Sequence, residues 1–181
     1  LILFLASLFV HSFLAAAQNI VVKDVKVQPT SNCLKLDLFK PTTASSTTAL
    51  PVVVFLFGGS WVGGNKHQHQ VFNVVELLCH AGYAVVGSEY RFSVSTWGYT
   101  KSPFPAQAND TKATIRWIRA NAEKHGLDPK AIGVWGASAG AHLAGLLGTV
   151  EDEASKVQAV VSYYGPTHLQ NLALEKAQKI G

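Results

Sequence analysis

Apolar and polar positions alternate along Ile20 to Val27 and again along Leu34 to Phe39, the period of half-buried strands, with Pro29, Thr30, Ser31 and Asn32 as the turn between them. This predicts an opening antiparallel pair. After a Ser/Thr-rich loop, Thr42 to Thr48, the segment Pro51 to Phe57 is unbroken in its apolar character, as a strand buried on both faces is. From Gln68 to His80 the residues Val71, Val74, Val75, Leu77 and Leu78 recur at helical spacing, and Gly82 closes the segment before a strand over Tyr83 to Glu89. A longer loop through Ser102 and Pro103 leads to a helix expected from about Pro105 to Lys124. It carries Ala108, Ile115, Ile118 and Ala122 on one face and is ended by Gly126 and Pro129. Then come a short strand, Ala131 to Trp135, a small-residue helix, Ala139 to Leu147, a charged loop, Glu151 to Lys156, and a strand, Val157 to Tyr164. Such alternation specifies the α/β class: a mostly parallel sheet with helices on both sides and an antiparallel start.

The stretch Leu1 to Ala17 lies outside this pattern. It is apolar, ends Ala15-Ala16-Ala17 before Gln18, and matches the apolar region and small-residue cleavage site of a signal peptide, so secretion is expected. A buried helix or membrane anchor is the alternative; the run is shorter than the ~20 residues a span needs and contains His11. Residues 18–181 are then expected to form one partial domain. The sequence contains no methionine, from which we expect it to be incomplete at its start and, by extension, at its end.

With 48% hydrophobic residues in 181, the chain can bury a sizeable core, which excludes disorder. The formal charge is +4, but Lys and Arg are scattered, and nucleic-acid binding requires them clustered. Cys33 and Cys79 either pair or remain two buried thiols. Asn109-Asp110-Thr111 is a glycosylation triplet near a helix start, of a kind common by chance.

Gly136-Ala137-Ser138-Ala139-Gly140 fits G-x-S-x-G and lies between an expected strand and an expected helix, the context that pattern requires. Ser138 is the candidate nucleophile. At the helix start the N–H of Ala139 has no intrahelical partner, and the positive end of the helix dipole points the same way, which suits an oxyanion. The second element is Phe57-Gly58-Gly59-Ser60-Trp61, directly after the apolar strand. Two consecutive glycines there can aim backbone N–H groups into a cavity, as the other half of an oxyanion hole needs. Read blandly, the first motif is a surface serine in a glycine-rich turn and the second a simple turn at a strand end.

Together these motifs resemble the α/β-hydrolase esterases of the hormone-sensitive-lipase and feruloyl or acetyl-xylan esterase type. The resemblance runs from about Leu36 to Leu169, through Leu36-Asp37-Leu38-Phe39-Lys40-Pro41, Tyr90-Arg91, Phe104-Pro105-Ala106, Gly126-Leu127-Asp128-Pro129 and Gly133 to Ala144. It implies an α/β-hydrolase three-layer sandwich, here cut off after about the sixth strand. It also implies oxyanion donors at Gly58, Gly59 and Ala139. The family's glycine motif normally opens with His where this chain has Phe57, and its third small residue is Ser60 here.

In this family the triad runs serine, acid, histidine, with the last two after later strands. After Ser138 the acids are Glu151, Asp152, Glu153 and Glu175, the first three in a solvated charge run, and the late histidine is His168, where the family usually has Asp. None of His67, His69, His80, His125 and His142 is offered as the base, and the fragment is expected to be inactive by itself. The resemblance implies a serine esterase acting through an acyl-enzyme on a small-molecule or carbohydrate-linked ester. It implies no metal or organic cofactor, while the scattered charge and the short apolar run lead us to expect no nucleic-acid partner and no stable membrane anchor. Trp61, Trp97 and Tyr99 are candidates to line a pocket. The alternatives are a non-catalytic binding module on the same scaffold and an amidase or peptidase of the same fold.

Overall fold

The computed structural model describes residues 20–28, 34–42, 48–67, 69–94, 101–149 and 152–170. The expected signal segment, Cys33, the turn at 29–32, Trp97, Tyr99, Glu151 and Glu175 lie outside these residues.

Six strands, β1 (Ile20–Lys26), β2 (Lys35–Lys40), β3 (Leu50–Leu56), β4 (Ala84–Ser88), β5 (Leu127–Ala137) and β6 (Ala159–Tyr163), form one sheet in the order β1-β2-β4-β3-β5-β6. The first pairing, β1 with β2, is antiparallel, as is β2 with β4, and the three remaining pairings are parallel. The helices are α1 (His69–His80), α2 (Ala106–Ala120), α3 (Ala122–His125) and α4 (Ala139–Gly148).

Local chemistry explains the boundaries. At the end of α1 the Gly82 N–H bonds to the Cys79 carbonyl and the Tyr83 N–H to the Leu78 carbonyl, with Gly82 at φ 87°, the reciprocal pair that closes helices on a left-handed residue. The helix expected from Pro105 to Lys124 breaks at Asn121, whose Nδ2 donates to the Trp117 carbonyl at 2.9 Å while its φ of −112° leaves the helical region. Strand β5 starts four residues before the expected Ala131, because Leu127 pairs with Leu50 and the intervening residues loop out of register. Pro129 therefore sits inside the strand's bounds.

Strand alternation sorts the parallel core onto two faces. Val52, Val54, Ile132 and Val134 are all buried. Their face carries α4, since a Cβ on Gly148 would meet Val160 Cγ2, and Val160 pairs with Val134. On the other face Val74 and Leu78 of α1 join Val53, Trp135, Ala159 and Val161 around an open apolar groove of about 650 Å³. Among the described residues nothing covers the groove over β5 and β6, and Val161 is 56% exposed. Exposed apolar surface of this kind recruits hydrophobic probes. The 181-residue chain is accordingly expected to enhance anilinonaphthalenesulfonate fluorescence, and Val161→Lys to reduce that enhancement at least twofold (roughly, from the area removed). Among the described residues Cys79 is a free thiol, buried in the core, and that burial pushes its pKa up to about 11.

Candidate active site

Ser138 occupies the single residue between β5 and α4 at φ 52°, ψ −119°, a region that a non-glycine residue enters at a cost of about 1–3 kcal/mol. The strain persists because the surroundings leave no alternative. The Ser138 N–H donates to the Tyr163 carbonyl at 3.0 Å, and the Ser138 carbonyl accepts the His142 N–H at 3.1 Å as the helix begins. Around it the backbone is packed without side chains. A Cβ on Gly136 would collide with the Gly140 carbonyl, and one on Gly140 with the carbonyls of Leu56 and Phe57 at the end of β3. Helix α4 thereby starts against β3 and β5, with the Ala139 N–H at its positive end.

The glycine segment lies directly alongside. A Cβ on Gly58 would stand 3.1 Å from the Ser138 Cβ and 3.1 Å from the Ala137 carbonyl oxygen, so this backbone passes close against the serine and any side chain here would press on it. The chain then reverses through Gly59, Ser60 and Trp61, at φ 132°, 51° and 60°. The Gly59 carbonyl accepts the N–H groups of Val62 and Gly63, closing the turn. Among the described residues the Gly59 N–H has no hydrogen-bond partner. The structure thus brings Ser138, Ala139, Gly58 and Gly59 to one place.

Phe57, standing where a histidine was expected from the resemblance, is fully buried. Its ring stacks on Tyr90 at 4.3 Å, and its carbonyl accepts the Tyr90 hydroxyl at 2.7 Å. Beyond the turn, Trp61 meets His142 edge-on at 5.2 Å. These two residues, with Ser93, Phe104, Gln107 and Leu169, line a cavity of about 160 Å³. His142 is a packed histidine: its Nδ1 is buried with no hydrogen-bond partner among the described residues, and desolvation lowers its pKa.

Among the described residues no hydrogen bond joins Ser138 Oγ to a histidine. Asp152 accepts from the Ala154 N–H and Ser155 Oγ of its own loop, which lowers its pKa, and Glu153 pairs with Lys156. His168 is exposed. The described acids of the charge run therefore brace the loop before β6.

Two buried residues with no assigned role in the sequence reading tie separate segments of the fold together. Tyr90 is one. Lys66 is the other: it reads as one scattered surface charge, yet its side chain is 2% exposed and its Nζ lies 2.7 Å from Asp24 Oδ1 and 3.5 Å from both Asp37 and Glu89. Burial works against its charge, but the hydrogen bond to Asp24 and the nearby Glu89 and Asp37 outweigh it and raise its pKa. Buried Asp37 also accepts the Asp24 N–H, while its Oδ2 has no hydrogen-bond partner among the described residues and His67 Nδ1 stands 3.5 Å away. The signal for Tyr90 was the Tyr90-Arg91 match to the family; for Lys66 there was none.

The BD-FAE family model matches residues 36–180. A probable carboxylic ester hydrolase, LipM of Mycobacterium tuberculosis, is 30% identical over 141 residues, covering 72% of this chain and 31% of that protein. Esterase LipC of the same organism is 33% identical over 130 residues, covering 66% of this chain and 30% of LipC. Among solved structures, a truncated form of a carbohydrate esterase from gut microbiota superposes with a TM-score of 0.70 at 27% identity, covering 84% of this chain and 59% of that one. A bifunctional GH43-CE protein of Bacteroides eggerthii gives 0.69 at 33% identity, covering 81% and 21% respectively. The chain spans about a third of the length of the two mycobacterial relatives. With the six-stranded mixed sheet and a match running from β2 past β6, the chain belongs to the BD-FAE family of α/β-hydrolase-fold esterases.

Proposed function

We propose that the protein is a serine carboxylic-ester hydrolase whose nucleophile is Ser138 and whose oxyanion donors are the backbone N–H groups of Gly58, Gly59 and Ala139. The observation that carries this reading is the strained elbow at Ser138 with the Gly58 backbone packed against it. Ser138 Oγ attacks the ester carbonyl and gives its proton to a histidine held by a carboxylate. The tetrahedral oxyanion is met by the N–H groups, the alcohol leaves with that proton, and water hydrolyses the acyl-enzyme. Among the described residues no histidine-and-acid pair stands beside Ser138, and from this we expect the 181-residue chain alone to turn over negligibly. Small-molecule or carbohydrate-linked esters are the proposed substrates, a reading supported by the carbohydrate-esterase neighbours, and secretion is proposed from the apolar segment Leu1 to Ala17.

Phe57 in place of histidine favours a second reading, a binding module that retains the scaffold without turnover. The two separate on treatment of the protein expressed from its complete transcript with a fluorophosphonate probe, followed by peptide mass spectrometry. A phosphonyl adduct on Ser138 is expected. A folded protein that acquires none is the binding module.

A further inference from the structure

The turn that presents Gly59 holds three consecutive residues at positive φ, two of them not glycine, and such a segment keeps its shape only where neighbours over-determine it. The neighbours here are four consecutive residues after β4. Tyr90 Oη donates to the Phe57 carbonyl at 2.7 Å, and both the backbone N–H and the Oγ of Ser93 donate to the Trp61 carbonyl, at 2.8 and 3.0 Å. These two carbonyls bracket Gly58-Gly59-Ser60. Between the two donors, Arg91 anchors the strip to buried Asp110 of α2 through its backbone N–H at 2.9 Å and its guanidinium at 2.7 Å.

We infer that Tyr90 and Ser93 are positioning residues for the oxyanion loop, an inference that rests on the nucleophile and donor assignment proposed above. Peptide units are planar, so holding the carbonyls at both ends of a three-residue turn restricts the directions of the N–H groups between them. Stacking of Tyr90 on Phe57 fixes the same end sterically, and burial raises the phenol's pKa, keeping it a hydrogen donor. At the other end Trp61 rests on His142, one turn from Ser138, so the clamp also sets the loop's height above α4.

Tyr90→Phe keeps the ring and removes only the donor. In the protein expressed from its complete transcript it is expected to lower kcat on a p-nitrophenyl ester about tenfold with KM within about twofold, less than the ~10²–10³ for deleting an oxyanion donor outright. Ser93→Ala, which leaves the backbone N–H bond in place, is expected to lower kcat about threefold by the same mechanism. The decisive readout is the rate ratio between an ester and its thionoester, because sulfur is a weaker hydrogen-bond acceptor and gains less from aligned donors. That ratio is expected to fall several-fold in both variants. A Tyr90→Phe enzyme with unchanged kcat, or one in which ester and thionoester slow equally as Tm drops, would overturn the clamp and leave a structural hydrogen bond. If Ser138→Ala hydrolyses as fast as the parent, the nucleophile assignment itself falls, and this inference with it.

Discussion

Ester hydrolysis by a Ser138→Ala variant of the protein expressed from its complete transcript is expected to fall by about 10⁵–10⁶-fold in kcat/KM, while Tm changes by no more than about 2 °C. The large effect follows from chemistry: alanine offers no atom to accept the acyl group, so only the backbone donors remain to assist attack by water. The small change in Tm follows from the elbow's construction. Ser138 is held by its own N–H and carbonyl, bonded to Tyr163 and His142, and alanine meets the same φ of 52° with a side chain of nearly the same bulk. A variant that keeps more than about 1% of activity would place the nucleophile elsewhere, since that is far above the residual catalysis expected of donors alone. Steady-state kinetics beside thermal unfolding distinguish this from loss of fold.

Lys66→Met is expected to cost about 3–5 kcal/mol in urea unfolding at pH 7, the range for removing one partner of a buried charged group. Methionine fills the volume of the lysine stem, so the cost is electrostatic: Asp37, 1% exposed, loses its nearest cation, and Glu89 and Asp24 lose theirs. The pH dependence carries a definite sign. Lys66 has a folded-state pKa raised above 10.5, so its contribution is complete below that value and disappears as pH rises through the folded-state pKa. Asp24 has a pKa lowered from 3.8 by its hydrogen bond and charge pairing with Lys66, so its contribution is present above that value and fades as pH falls through the lower folded value. The gap between parent and variant should be widest between these limits and should narrow in strong alkali. A variant as stable as the parent at pH 7 would mean that water screens the cluster.

The elements that the chain's pattern made legible are those whose signal is local. An unbroken apolar run identified β3 as an interior strand, helical spacing identified α1 and, as far as Asn121, α2, and Gly136 to Gly140 located the elbow because its strand and helix flanks could be read on either side. What could not be read depends on particular hydrogen-bond and pairing partners that the local pattern does not specify. Leu127 joins β5 because Leu50 is across from it, against the local evidence of Pro129. Asn121 reads as helix until its amide takes the Trp117 carbonyl. Lys66 is one of the chain's scattered cations until the bulge in β1 brings Asp24 beneath it. Tyr90 could be matched to a family motif, but the target of its hydroxyl is a backbone atom 33 residues away. Among the aromatic residues expected to line a pocket, Trp61 does face the small cavity with His142.

The contacts at Gly136, Gly140 and Gly58 have a consequence for how the protein tolerates change over generations. At Gly136 and Gly140 strand and helix meet main chain to main chain, and Gly58 lies against the Ala137 carbonyl and the Ser138 Cβ, so the separation between the serine and the glycine segment is set largely by backbone packing. Substitutions in the surrounding core can reshape the pocket for a different ester while leaving that separation as it is. Substrate preference is therefore free to drift among descendants, whereas the relative placement of the two halves of the site can change only if a glycine is lost.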